Sequence, residues 1–324
     1  MRRRTFFGSA LAGVLALRSK AWGRSPVPAS TGGDIPKRVF GKTGEKLTIV
    51  GQAGGRYPMI SFEDAKAVTL RAYELGVNYF DNAHSYWSGR SEEVYGEVLP
   101  AFRKDVFVTT KSVVRDREGA AKELEISLKR LKMDYVDLWQ IHSVSRMEDV
   151  EQIFAPGGAI EAFEEAKRSG KTRFIGFTGH TDPHVHMEML KRYDQFDTIL
   201  MPLNPADPSY LSFEQIVLPE AVRQGLGIQG MKSLANAKLL QSFSVEDCIQ
   251  YVLSLPIHCL TMGATTLGQI EDDVRIAKRF AALEEPQMAE LRERARRLAG
   301  PELEDWKRGP ERAGLDPAGA EIHG

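Results

Sequence analysis

From residue 47 onward the chain alternates short β-branched or aromatic runs with longer amphipathic segments, eight times over. The runs are LTIV (47–50), VNYF (77–80), DVFVTT (105–110), YVDLWQI (135–141), TRFIGF (172–177), DTILM (197–201), LGIQGM (226–231) and IHCLTM (257–262). Between them lie helical periodicities such as FEDAKAVTLRAYEL, where Ala65, Val68, Leu70, Ala72 and Leu75 predict one apolar face. Ser61 stands where an N-cap belongs, with Asp64 three residues on, and Gly76, Gly170 and Gly225 stand where C-cap glycines end helices. Eight strand–helix units predict a closed, parallel (β/α)8 TIM barrel in the α/β class.

An open doubly wound sheet is the competing architecture, and it would carry a glycine-rich fingerprint after its first strand. GQAGGR (51–56) lacks that spacing. GLGIQG (225–230) has it but follows a helix and begins a strand, the reverse of the required context. Ahead of the barrel, RVFGKTGEKLTIV predicts two short strands around residues 41–44, a hairpin placed to plug the barrel bottom. QMAELRERARRLAG (287–300) predicts one extra C-terminal helix, and residues 301–324 read as an irregular tail.

The first residues have a different character. Arg2, Arg3 and Arg4 precede an apolar stretch that ends at Leu17, too short to span a bilayer. Arg3-Arg4-Thr5-Phe6-Phe7 resembles a twin-arginine export motif, with Ser19-Lys20-Ala21 as a cleavage site. Residues 1–21 are therefore expected to be a signal peptide, 22–36 a linker and 37–300 the barrel. The expected location is the periplasm, with no stable membrane insertion once the signal is removed. A net charge of −1 with well-mixed signs argues against nucleic acid or an anionic membrane as partner. Cys248 and Cys259, the only two cysteines, are expected to be buried free thiols.

Three of the predicted strands end on polar residues one repeat apart. Asp81 ends the second, Lys111 the third and His142 the fourth, at separations of 30 and 31 residues. Neighbouring strand ends converge at the C-terminal face of a barrel, and Tyr86 in the loop after Asp81 reaches the same mouth. A lysine beside a carboxylate keeps its charge, and that charge is expected to ease deprotonation of a nearby phenol. A histidine adds a second contact to the same substrate oxygen. This equipment suits reduction of a carbonyl by an external hydride, with the forming alkoxide stabilised.

At these residues the chain resembles the aldo-keto reductase family, over roughly residues 38–285. The resemblance rests on F-D-x-A-x-x-Y with a downstream S-E-x-x-x-G, the lysine ending strand three, D-Y-V-D-L-x-x-x-H, and G-x-T-x-x-Q-I-E. It implies Asp81, Tyr86, Lys111 and His142 as the catalytic tetrad, with Tyr86 as acid/base, and a small carbonyl compound, alcohol or sugar as substrate. It implies NADP(H), with NAD(H) as the rival, extended across the C-terminal mouth. The implied contacts are Gly54, Gly55 and Arg56 after strand one, Thr178 and Gly179 after strand five, and Asn204 after strand six. Met231 and Lys232 after strand seven and Gly263, Thr265, Gln269 and Asp273 around the last strand and helix complete them.

Several positions depart from the family pattern. Thr178-Gly179 replaces the usual Ser-Asn, Leu200 replaces a glutamine, and Met231-Lys232 stands where an aromatic often stacks on the nicotinamide. GATTLGQIEDD (263–273) lacks the usual lysine or arginine for a 2′-phosphate, leaving Arg275 as the nearest cation. Asp273 takes the place of an asparagine that reads adenine, and its carboxylate would repel a phosphate close by.

Other features invite separate readings. HTDPHVH offers His180, His184 and His186 as a zinc set, but a helix starting at Asp182-Pro183 would put His184 and His186 about 200° apart. The expectation is therefore no metal, His184 and His186 on the surface, and His180 lining the substrate pocket. Trp87 is either a substrate wall or an aromatic packed on its own loop, Trp139 is barrel packing, and Glu92 and Glu93 cap the second helix. A cofactor-bound sensing module with little turnover is the alternative to an enzyme.

Overall fold

The computed structural model describes residues 33–308. The export signal and most of the linker lie outside the described residues. The linker's end does not behave as one: Ile35 is buried in the main core, and the carbonyl of Pro36 accepts from the Ile49 amide at 3.0 Å.

Strands β1 (Lys37–Val39) and β2 (Lys46–Thr48) form an antiparallel hairpin. Eight parallel strands then close into one barrel: β3 (Val50–Ala53), β4 (Tyr79–Asp81), β5 (Phe107–Ser112), β6 (Val136–Ile141), β7 (Thr172–Thr178), β8 (Thr198–Pro202), β9 (Gly227–Met231) and β10 (Cys259–Met262). The expected LTIV strand is divided between two elements. Leu47 and Thr48 belong to the hairpin, and Val50 opens the barrel strand.

The helices outside the wall are α1 (Phe62–Glu74), α2 (Arg90–Val98), α3 (Arg117–Leu131), α4 (Met147–Phe154), α5 (Ala159–Arg168), α6 (Pro183–Arg192), α7 (Phe213–Ile216), α8 (Leu218–Arg223), α9 (Val245–Ser254), α10 (Leu267–Lys278) and α11 (Glu285–Arg296). The Ser61 hydroxyl caps α1 by accepting from the Asp64 amide at 3.1 Å. Gly76, Gly170 and Gly225 all have positive φ at helix ends, where other residues would be strained. The buried face of α1 differs by one position from the expectation. Thr69 is inside, bonded to the Tyr57 hydroxyl at 2.7 Å, and Leu70 is exposed.

A two-residue side-chain period sorts the strands into layers. Tyr79, Phe107, Leu138, Phe174 and Cys259 form the lowest inner layer together with Leu47 and Phe40 of the hairpin. Phe40 is fully buried and meets Tyr79 and Phe107 edge-on at 6.4 and 5.8 Å, so the hairpin stoppers the barrel. Gly41, at φ 52°, lets the hairpin turn press against the Leu226 carbonyl, where a Cβ would sit 2.5 Å away. Two residues higher, the side-chain amide of Gln140 donates across the interior to Gln229 at 3.1 Å. Two residues higher again on β5 and β6 stand Lys111 and His142. Outward-facing Trp139 stacks on Phe163 of α5 at 3.6 Å, as wall packing. GLGIQG is the turn into buried β9, and Cys248 and Cys259 are buried free thiols.

Candidate active site

Parallel pairing of β4, β5 and β6 brings their C-terminal residues to one side of the mouth. Lys111 is fully buried and donates to Asp81 Oδ2 and to the Asn82 carbonyl, both at 2.7 Å. Its Nζ lies 3.5 Å from the Tyr86 hydroxyl, and the Tyr86 ring meets His142 edge-on at 5.5 Å between centroids. The four expected residues therefore gather around one spot, and Asp81 Oδ1 has no hydrogen-bond partner among the described residues.

Burial raises the Asp81 carboxyl and lowers the Lys111 ammonium, while the contact between them opposes both shifts. Tyr86 is raised well above the ordinary phenol value, first by burial and then by the Asp81 charge. This corrects the expectation that Lys111 alone would ease its ionisation. Asp81, 2.7 Å from Lys111, adds a negative charge that opposes ionisation of the phenol. Tyr86 is accordingly held protonated, ready to donate.

The expected cofactor contacts ring the same mouth. Thr178 Oγ1 is buried with no hydrogen-bond partner. Lys232 is buried, and with half-buried Arg56 it converges on Asn236 Oδ1, at 3.1 and 2.8 Å. Burial, then the Arg56 charge, pulls the Lys232 ammonium down to about 7. An unpartnered hydroxyl and two cations without an ion-paired carboxylate fit a carboxamide and a pyrophosphate, the polar ends of a dinucleotide. Met231 is buried beside them.

Other positions are occupied by the protein itself. Gly54 has Ser91 Oγ and Gly179 has the Val144 carbonyl where a Cβ would be, at 2.3 and 2.2 Å, so both are packing requirements. Gly55 is buried, and Gly263 passes close under Arg56. Thr265 donates to Gln269 Oε1 from both its amide and its hydroxyl, at 2.7 and 2.9 Å. Arg275 pairs with Asp272 on the surface at 2.9 Å, away from the phosphate role considered for it. Asp273 is nearly buried, and burial followed by the Asp272 charge pushes it up to about 7.

Trp87 packs against Phe62 and beneath Arg90, at φ 52°, in keeping with the loop-packing reading. His186 overturns its surface reading: it is fully buried between Phe177 and Phe213, and burial pushes it down to about 3. His184 is exposed and bonded to Asp182, and His180 is largely buried just past Gly179. Among the described residues no cluster of ligands suits a metal ion. Glu92 is no exposed cap either, being fully buried and bonded to Thr110 at 2.6 Å.

The largest correction concerns the tail. Residues 301–307 form a strap after α11 that docks on the loops following β8 and β9. Glu304 and Lys307 are buried, and Lys307 Nζ pairs with Glu304 at 2.9 Å and with Asp207 at 2.7 Å. The Asn204 side chain donates to Glu304 and accepts from the Ala206 amide, at 2.9 and 2.8 Å, so it braces the strap instead of standing free for cofactor. Trp306 lies 5.4 Å from Lys232, and Lys238 holds Asp305 at 2.6 Å. Leu303 and Trp306, three apart in an otherwise charged stretch, were the available signal for this docking.

The Aldo/keto reductase family profile matches residues 50–249. The chain belongs to the aldo/keto reductase family. An uncharacterized oxidoreductase YqkF of Bacillus subtilis is 31% identical over 269 residues, covering 69% of this chain and 86% of that one. L-galactose dehydrogenase of Arabidopsis thaliana is 35% identical over 159 residues, covering 45% of this chain and about half (49%) of that protein. An aldo-keto reductase from Klebsiella pneumoniae in complex with NADPH shares the fold, with a TM-score of 0.66, 19% identity, and coverage of 80% and 94%.

Lys307→Met leaves Glu304 and Asp207 without their cation and should cost roughly 3–5 kcal/mol in urea unfolding. Glu304, pushed up to about 7 chiefly by burial, binds its proton more tightly folded than unfolded, so its contribution is lost as pH rises through that value. The deficit of the variant should therefore be larger at pH 8 than at pH 5.5. Equal stability to wild type at both pH values would refute the strap's role.

Proposed function

We propose that this chain is an NAD(P)H-linked oxidoreductase that reduces an aldehyde or ketone, or oxidises the corresponding alcohol or sugar, with Tyr86 as acid/base. The observation that carries the reading is a protonated phenol 3.5 Å from a buried lysine that is itself 2.7 Å from a buried aspartate. A bound reduced nicotinamide supplies the hydride. The Tyr86 hydroxyl gives its proton to the carbonyl oxygen as charge develops there, and Lys111 stabilises the phenolate left behind. Asp81 and the Asn82 carbonyl hold Lys111 in place, and His142 fixes the phenol ring edge-on while lining the same oxygen site.

For the cofactor, Thr178 is assigned to the carboxamide and Arg56 with Lys232 to the pyrophosphate. NADPH is the first choice, supported by the ligand named for the Klebsiella pneumoniae relative. Asp273 is read as the residue that disfavours a 2′-phosphate once ionised. A sugar or other polyhydroxylated carbonyl is the favoured substrate class, supported by the name of the L-galactose dehydrogenase relative. Export through the twin-arginine route to the periplasm, proposed from Arg3-Arg4-Thr5-Phe6-Phe7, accords with a protein that is loaded with dinucleotide before transport.

Tyr86→Phe should lower kcat for aldehyde reduction by roughly 10²–10⁴ while NADPH still binds, read by quenching of intrinsic fluorescence. Turnover at the wild-type rate in that variant would defeat the reading. Asp273→Asn should tighten NADPH roughly tenfold at pH 8 and less at pH 6, with NADH little changed. Parallel gains for both dinucleotides would remove Asp273 from the phosphate end. Converting Arg3 and Arg4 to lysine should trap the precursor in the cytoplasmic fraction; unchanged recovery of mature protein from the periplasm would rule out the twin-arginine route.

A further inference from the structure

The loop that carries Tyr86 is not held by its own backbone alone. Trp87 and Ser88, directly after Tyr86, both have φ 52°, a left-handed conformation that side chains disfavour. Such a loop keeps one geometry only if its surroundings impose it. The ties on its inner side are the Asn82 amide to the Thr109 carbonyl at 3.1 Å and the His84 amide to the Lys111 carbonyl at 3.0 Å.

A second set of ties lies on the outer side of the wall. Thr110 and Ser112 flank Lys111 and point away from the barrel interior. The Thr110 hydroxyl donates to Glu92 at 2.6 Å, and the Ser112 hydroxyl donates to Glu123 at 2.6 Å. Arg130 of α3 donates to the other Glu92 oxygen at 3.3 Å and to the His84 carbonyl at 3.2 Å. The His84 ring lies 3.1 Å from the Ser127 hydroxyl and 3.8 Å from Glu123. The two carboxylates thus grip the residues on either side of Lys111, and through Arg130 and His84 they reach a point two residues before Tyr86. Gly89 makes room for the bridge: a Cβ there would stand 2.1 Å from the Arg130 guanidinium carbon.

We propose that Arg130 and Glu92 are positioning residues that set the separation of the Tyr86 hydroxyl from Lys111 by clamping the Tyr86 loop to β5 from outside the barrel. Neither touches the reacting oxygen. Glu92 is fully buried and Arg130 is its ion-pair partner, so a length-preserving loss of the guanidinium frees the loop without opening the mouth. A phenol displaced by a fraction of an ångström donates its proton along a longer path, and proton transfer becomes slower while dinucleotide binding is untouched. The inference rests on the carbonyl-reductase reading above.

The test is Arg130→Met in the full-length protein, with Arg130→Lys and Gly89→Ala beside it. The readouts are kcat for a simple aldehyde, the NADPH dissociation constant, and the solvent deuterium isotope effect on kcat. Arg130→Met should lower kcat roughly 10- to 100-fold, leave NADPH affinity within about twofold and enlarge the isotope effect. Arg130→Lys should be intermediate, because an ammonium reaches Glu92 or the His84 carbonyl but not both. Gly89→Ala should reproduce the Arg130→Met pattern with every polar group of the clamp retained, and it decides the matter if Arg130→Met fails to fold. An unchanged kcat in a folded variant overturns the inference, and so does a loss of kcat matched by loss of NADPH binding with an unaltered isotope effect. A wild-type protein that reduces no carbonyl compound would instead overturn the function itself, so the two failures are separable.

Discussion

The Lys111–Asp81 contact is the interaction on which the mouth of this barrel depends. An ammonium and a carboxylate are both removed from water, which neither would tolerate alone. They survive there because they meet at 2.7 Å and because the Asn82 carbonyl accepts a second hydrogen bond from the ammonium at the same distance. That arrangement exists only where β4 and β5 run parallel and end at the same height. The closed barrel supplies that registration, and the hairpin stopper keeps water from its lower layers. Tyr86 then sits where burial and the Asp81 charge both favour its protonated form.

Around that pair the molecule places two kinds of support. Inside the barrel, layers of apolar and then amide side chains fill the bore below the Lys111–Asp81 pair. Outside, buried Glu92 and part-buried Glu123 grip hydroxyls on the strand that carries Lys111, and the chain's last described residues fold back onto the loops after β8 and β9. The strap brings a buried lysine between two carboxylates and sets an indole beside Lys232. The Lys232 side of the mouth is therefore bordered by a segment with no place in the eightfold repeat.

Much of this was legible in the order of residues. Strand–helix alternation and the absence of a correctly placed glycine fingerprint are local properties, and they pointed to the closed barrel. Asp81, Lys111 and His142 were legible because they fall one repeat apart at strand ends, Tyr86 because it lies in the loop after Asp81, and the resemblance to the family named the four as one set. The errors have a common origin. His186 looked like a surface residue because helix geometry says which way two side chains diverge, not what lies on each side. Glu92 looked like a helix cap because its charge suggested solvent, and the tail looked irregular because its docking partners are roughly a hundred residues away.

By itself the sequence determined the strand–helix repeat and the polar groups at the ends of strands two, three and four, because these follow from spacing along one chain. Only the tertiary structure decided which charges cancel, since the field at the Tyr86 phenol depends on the relative distances of Asp81 and Lys111. It likewise decided that Asn204 braces a strap and that Arg130 reaches behind the catalytic wall. Hydrogen bonds and ion pairs fall off over a few ångströms, and no spacing along the chain encodes which distant residues come that close.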